Sequence, residues 1–191
     1  NNFISFTISK KILLLKIDIV KLSINNNSMN IIIKKHCLLY KGYKLKCGIG
    51  KSGSKYLKKE GDLATPKGLF RLGLLYYRKD RNKIKKCKIK KRIIKKKMGW
   101  CNDIMSVKYN QEISFPFNYS AEKLYRKDRI YDIFIHIKYN YSPTIKGKGS
   151  AIFLHLCDKK YKATKGCVAI TKNDFLKILP LINNNTKISI R

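Results

Sequence analysis

Two side chains late in the chain have the types and spacing of a nucleophile and its base. His155 ends the alternating part of an apolar run, Ala151-Ile152-Phe153-Leu154-His155-Leu156, which puts it on one strand face with Ala151 and Phe153. Cys167 follows Thr164-Lys165-Gly166 and opens a second apolar run, Val168-Ala169-Ile170, just after a glycine turn, where its thiol can be exposed at a sheet end. The segment between them can fold back and lay the two strands side by side, at a length-dependent closure cost of about 2 kcal/mol. An ordinary thiol with a pKa near 8.5 is about 3% thiolate at pH 7; a pKa of about 6.5, set by imidazolium and lysine charge, makes about three-quarters of it reactive. Gly166 has a matching part: without a Cβ, its N–H and that of Cys167 can approach a developing oxyanion. The plainer alternative is that His155 and Cys167 are core residues of adjacent strands.

The elements that must position this pair read as β-structure. Asn30 to Ile33, Cys37 to Tyr40 and Tyr43 to Gly48 are short runs rich in β-branched or aromatic residues, split by Lys34-Lys35 and Lys41-Gly42. Gly48, Gly50 and Gly53 open a loop that continues to Gly61, and Thr65-Pro66-Lys67-Gly68 turns the chain into a strand over Leu69 to Tyr77. Ser120 to Asp128 predicts a short helix capped by Ser120. Arg129 to Tyr139 predicts a strand with Ile130, Asp132, Phe134, His136 and Lys138 on one face and Tyr131, Ile133, Ile135, Ile137 and Tyr139 on the other. After strands over Ser150 to Cys157 and Val168 to Ile170, Thr171 and Asp174 form a capping box for a helix that Pro180 ends, and Lys187 to Ile190 closes the domain. This pattern predicts a mainly-β sandwich or barrel-like domain.

Composition limits the partners. The 191 residues include 44 Lys+Arg against 11 Asp+Glu, a formal net charge of +33, which suits nucleic acid, an anionic membrane or an anionic polymer such as a cell wall. Lys, Ile and Asn, all with A/T-rich codons, dominate the chain, so genomic base composition accounts for much of the lysine. Residues 83–97 hold ten basic side chains and no acid, and are expected to form a solvated, mobile loop. The six cysteines include no C-x-x-C pair, so no zinc ribbon is expected, and their default is buried or free thiols. No apolar run approaches the length of about 18 residues that a membrane-crossing helix needs. The apolar patch Ile12 to Leu15 is interrupted by Lys16 and Asp18, so no secretory signal is visible. Residues 1–28, before the first Met, Met29, are read as a leader, a fragment end or an upstream extension outside the fold, with the domain spanning 29–191.

The segment Gly149-Ser150-Ala151-Ile152-Phe153-Leu154-His155, followed by Thr164-Lys165-Gly166-Cys167-Val168-Ala169, resembles the signature of the L,D-transpeptidase (YkuD-type) catalytic domain. In that family a strand His precedes an S/T-x-G-C motif. Lys59-Glu60-Gly61-Asp62 with Thr65-Pro66-Lys67-Gly68-Leu69-Phe70 is similar to the family's E-G-D-x-x-T-P-x-G-x-F segment. Tyr77 to Arg81, Gly99-Trp100-Cys101-Asn102-Asp103 and Tyr139-Asn140 are similar to one branch of it. Lys165 stands where most members have His, Ala169 where many have Arg, and Leu156 where a small residue usually follows the His. Arg would offer a carboxylate a bidentate fork that Ala lacks.

The resemblance implies an L,D-transpeptidase-like β-sandwich with one or two short helices. It also implies Cys167 as the acyl-accepting nucleophile, His155 as general base and acid, the N–H groups of Gly166 and Cys167 as oxyanion donors, and the Leu156 carbonyl as a possible orienting partner of the His ring. Substrates would be peptidoglycan stem peptides, with neither metal nor organic cofactor required, at the cell envelope or periplasm. The lack of a visible signal keeps a cytoplasmic location as the alternative. Two other functions stay open: an L,D-carboxypeptidase that passes the acyl group to water, and a nucleic-acid-binding protein using 83–97. The latter has charge but no recognisable binding motif to support it.

Overall fold

The computed structural model describes residues 29–158 and 160–191, so the expected leader, 1–28, lies outside the described residues. The first half contributes β1 (Ile31–Lys34), β2 (Cys37–Tyr40), β3 (Tyr43–Lys46), β4 (Ser54–Lys55), β5 (Thr65–Pro66), β6 (Gly68–Tyr77) and β7 (Lys91–Ile93). The second contributes β8 (Met98–Cys101), β9 (Glu112–Ser114), β10 (Ala121–Lys123), β11 (Ile133–Ile137), β12 (Phe153–Cys157), β13 (Val168–Thr171), the helix α1 (Lys172–Ile178) with a 3-10 turn at Leu179–Leu181, and β14 (Lys187–Ile190). The fold is mainly β, as the sequence predicts.

One nine-stranded sheet runs β13-β12-β11-β6-β14-β1-β2-β3, with β7 paired to β6. The long strand β6 serves both halves: Gly68 to Arg71 pair with β14, and Leu72 to Tyr77 with β11. Beyond β3 the chain meets the far end of the sheet, where Gly48 and Ala169 exchange both backbone hydrogen bonds at 2.8 and 2.9 Å. The sheet therefore curls on itself. Inside the curl Ile31, Ile33, Leu38, Leu75, Ile135, Leu154, Val168, Ile170 and Ile188 form an aliphatic core that Phe175 and Ile178 of α1 complete. Thr171 caps α1 by accepting from the Asp174 N–H, and its hydroxyl donates to the Asp174 carboxylate at 2.8 Å.

The other face of β11 and β12 carries different residues. Phe134, Phe153 and Cys167 pack with Tyr76, Trp100, Leu124 and Tyr131 in a second, aromatic core. A three-stranded sheet, β10-β8-β9, supplies Trp100 and Met98 to it.

Three expectations are corrected. Ser120 to Asp128 is not a helix: Ala121 to Lys123 pair with Cys101, Trp100 and Gly99 as β10, and Leu124 is fully buried. Its Ala, Glu and Lys favour helix, but pairing with β8 and burial of Leu124 decide the outcome. Residues 83–97 are not a uniform mobile loop: Lys91 to Ile93 form β7 beside β6, and Ile89 and Ile94 are buried. The Arg129–Tyr139 strand is shortened to β11; Tyr131 lies before it and joins the aromatic side, 5.3 Å from the Phe134 ring.

Candidate active site

The parallel pair β12 and β13 sets the register, with Leu154 opposite Val168 and His155 opposite Ala169. Period-2 alternation sends Leu154, Leu156, Val168 and Ile170 into the aliphatic core and leaves Phe153 and Cys167 on the aromatic side. His155 shares that side, its ring edge-on to Tyr131 at 5.4 Å. Both expected site residues are therefore brought to the same face of neighbouring strands.

The turn before Cys167 is specified by Thr164 and Gly166. Gly166 has φ +135°, and a Cβ there would stand 2.9 Å from the Ala64 carbonyl oxygen, so only glycine fits. The Thr164 hydroxyl donates to the Cys167 carbonyl at 2.7 Å and accepts from the Gly166 N–H at 3.1 Å. The Gly166 N–H is thus engaged with that hydroxyl. Behind the turn, buried Thr65 accepts from the Gly50 N–H at 2.8 Å and reaches the Cys167 carbonyl at 3.5 Å.

The exposed thiol that the sequence suggests is corrected: packed in the aromatic core, Cys167 is only 8% exposed, and His155 6%. The thiol donates to the Ala151 carbonyl at 3.1 Å and accepts from the Phe153 N–H at 3.3 Å. His155 Nδ1 lies 2.8 Å from the Leu156 carbonyl, a contact that needs the proton on Nδ1 and leaves Nε2 as the basic nitrogen. Burial pushes the thiol up to about 12, reinforced by the Glu122 charge and opposed by the Phe153 N–H and Lys58. Burial pulls His155 down to about 4 against the pull of the Leu156 hydrogen bond. The resting pair at neutral pH is therefore neutral thiol and neutral imidazole, unlike the thiolate–imidazolium pair that the sequence suggests. Taking both groups out of water disfavours each charged form.

Sequence reading missed the residues that hold this arrangement. Asn110, buried with φ +57°, accepts through Oδ1 from both the Trp100 indole and the Ala151 N–H at 3.0 Å. Its Nδ2 donates to the carbonyls of Tyr139 and Asn140 at 3.2 and 2.8 Å. It thereby fixes Ala151, whose carbonyl accepts the hydrogen bond of the Cys167 thiol. Tyr109 donates to Glu60 and accepts from the Gly149 N–H at 2.9 Å, tying the Glu60-Gly61-Asp62 segment to the loop that leads into β12. The available signal was the pair Tyr109-Asn110 in a turn rich in small and polar residues, where Asn tolerates positive φ.

The residues at the two departures differ in exposure. Lys165 is exposed. Ala169 is buried beside Gly48, its Cβ 3.7 Å from where a Cβ on Gly48 would stand. Among the described residues no group of three or more His, Cys, Asp or Glu is arranged to hold a metal ion.

The curled β-sheet thus sets a buried Cys and a buried His on the same side of neighbouring strands, the Cys directly after a glycine turn. Residues 19–190 match the family model for the L,D-transpeptidase (YkuD) catalytic domain, and the chain belongs to that family. No curated protein and no solved structure matches it. Among the described residues no helix is long and apolar enough to cross a membrane.

Proposed function

We propose that the protein is a cysteine-dependent L,D-transpeptidase acting on peptidoglycan stem peptides. The observation that carries this reading is the shared face of Cys167 and His155, with the proton-bearing Nδ1 of His155 turned to the Leu156 carbonyl. His155 Nε2 takes the thiol proton as Cys167 Sγ attacks the carbonyl of the third residue of a tetrapeptide stem. The Cys167 N–H, joined by the Gly166 N–H as it leaves the Thr164 hydroxyl, donates to the oxyanion. The amide C–N bond breaks, His155 returns the proton to the departing D-alanine amine, and a thioester remains. An amine of a neighbouring stem attacks the thioester, forms the new amide and restores the thiol. Water as acceptor would make the same site a carboxypeptidase. No step needs a metal or an organic cofactor. A peptidoglycan substrate puts the site of action at the cell envelope.

The test is incubation of wild type and Cys167→Ala with a tetrapeptide stem, followed by mass spectrometry. The expected result is a Cys167 adduct of the stem minus its last residue, resolved to a cross-linked product when an amine is supplied. Full turnover by Cys167→Ala would end the proposal; a tripeptide acid as the sole product, even with amine present, would assign the carboxypeptidase.

A further inference from the structure

Cys167 must carry negative charge during the reaction, yet its surroundings oppose it. Burial and Glu122 of β10 raise the cost of the thiolate, the Tyr131 hydroxyl lies on the same side, and His155 is held neutral. Arg126 stands 3.7 Å from Glu122, and Lys165 also acts on that carboxyl. The aromatic face therefore needs a cation close to the sulfur.

Lys58 places a buried ammonium against the Cys167 turn. Its side chain is 3% exposed and its Nζ sits 2.6 Å from Asp62 Oδ1. A second N–H of the ammonium goes to the Lys59 carbonyl at 3.3 Å. The side chain occupies space that Gly149 leaves open, since a Cβ there would stand 2.7 Å from Lys58 Cε; a Cβ on Gly166 would lie in ordinary contact with Nζ at 3.6 Å, which places the ammonium beside the Cys167 turn. Asp62 is itself held by the N–H groups of Lys59 and Ala64 at 3.0 and 2.9 Å. A buried ammonium is costly unless paired and fixed, and here it is both. It is fixed against the turn that carries the nucleophile.

We propose that Lys58, clamped by Asp62, is the electrostatic partner of Cys167, stabilising the charge that forms on the sulfur and then on the attacked carbonyl oxygen beside Gly166. The inference rests on Cys167 being the nucleophile of the proposed reaction. Nearby positive charge favours a thiolate, and a low-dielectric site strengthens the effect. Lys58 would supply what the resting imidazole cannot.

The experiment measures alkylation of Cys167 by iodoacetamide against pH in the full chain, with peptide mapping to separate it from the other five cysteines. Wild type, Lys58→Met, Lys58→Gln and Lys58→Arg are compared, with thermal unfolding as the check on folding. The neutral variants are expected to react about tenfold more slowly at pH 8, their profile moved to higher pH by about one unit. Lys58→Arg should stay within about threefold of wild type. A folded neutral variant with an unchanged profile overturns the proposal. Unfolding of both neutral variants, seen as equal labelling of all six cysteines, overturns it too, because Lys58 would then be a structural pin. Alkylation needs no peptide, so a shifted profile without stem acylation would sink only the transpeptidase reading. An unchanged profile with intact acylation would sink only the role of Lys58.

Discussion

The two faces of β11 and β12 divide the molecule's work. One face, through Ile133, Ile135, Ile137, Leu154 and Leu156, is wholly aliphatic and carries the fold. The other places Phe134, His136, Phe153 and His155 among aromatic rings, with the Cys167 thiol beside them and glycine or Asn holding unusual backbone around it. A slip of one residue in register would exchange the two sets and abolish fold and site together. Substitutions on the aliphatic face should therefore cost stability, and those at His155 and Cys167 on the aromatic face chemistry.

The sharpest break of this comparison is a matched pair. His155→Gln should lower stem acylation by about 10²- to 10⁴-fold, the usual worth of a positioned base. Ile135→Ala, on the opposite face of the paired strand, should cost about 2–5 kcal/mol in denaturant unfolding while the folded fraction keeps its rate. Reversal of the two readouts would mean that the faces are not separable.

Asn110 joins both kinds of effect, and its variants come next in size. Asn110→Ala leaves the Trp100 indole and the Ala151 N–H without their acceptor, each loss worth about 1–3 kcal/mol. With Ala151 no longer fixed, acylation should fall about tenfold as well. Asn110→Asp keeps the acceptor and loses the Nδ2 donors, so it should fall between; equal rates for all three proteins would remove Asn110 from the site.

The acid side tests the aromatic face as a whole. His136, packed 4.6 Å from the Trp100 ring and beside Tyr141, is pushed down to about 3 by burial, with Lys138 adding to the shift. His155 is at about 4. In the unfolded chain both titrate near 6.5, so between about 6.5 and 4 the unfolded state binds more protons and stability falls as pH drops. Thermal unfolding should lose several degrees over that window. His136→Phe should remove about half of that loss and leave stem acylation alone. An unchanged slope would mean that His136 is not buried in neutral form.

What the sequence made legible follows the same division. Strands β1, β2, β6, β12, β13 and β14 were readable because alternation and turns agree with their burial. The Cys–His face followed from alternation plus the glycine turn. Asn110 and Lys58 were not readable, since their roles depend on loops that meet only after folding: Lys58 lies against Gly149 and Gly166, far along the chain. The helix expected over Ser120 to Asp128 failed for a related reason. Local propensity there is overridden by β8, which needs a partner for Trp100 and Gly99.

The smallest effect is expected from the basic side chains of residues 83–97, which belong to neither face. Ile89 and Ile94 anchor the run and β7 pairs with β6, but its Lys and Arg side chains are exposed. Charges of that kind act through a field that salt screens over about 8 Å at physiological ionic strength. They do not supply the positioned, desolvated contacts that bond cleavage requires. Replacing Lys85, Lys86, Lys90 and Lys91 with Gln should weaken binding to intact cell-wall sacculi at low salt and leave it little changed at high salt. Turnover of a small soluble stem peptide should move less than about threefold, since none of these four side chains bonds to the Cys167 turn. The stability cost should be small as well, because their backbone pairing is untouched. The nucleic-acid reading expects the opposite pattern: tight RNA or DNA binding lost in this variant, with no Cys167-dependent acylation in either protein. A stem-peptide rate that collapsed in the Gln variant would place the run inside the site and dissolve the division between surface field and buried chemistry.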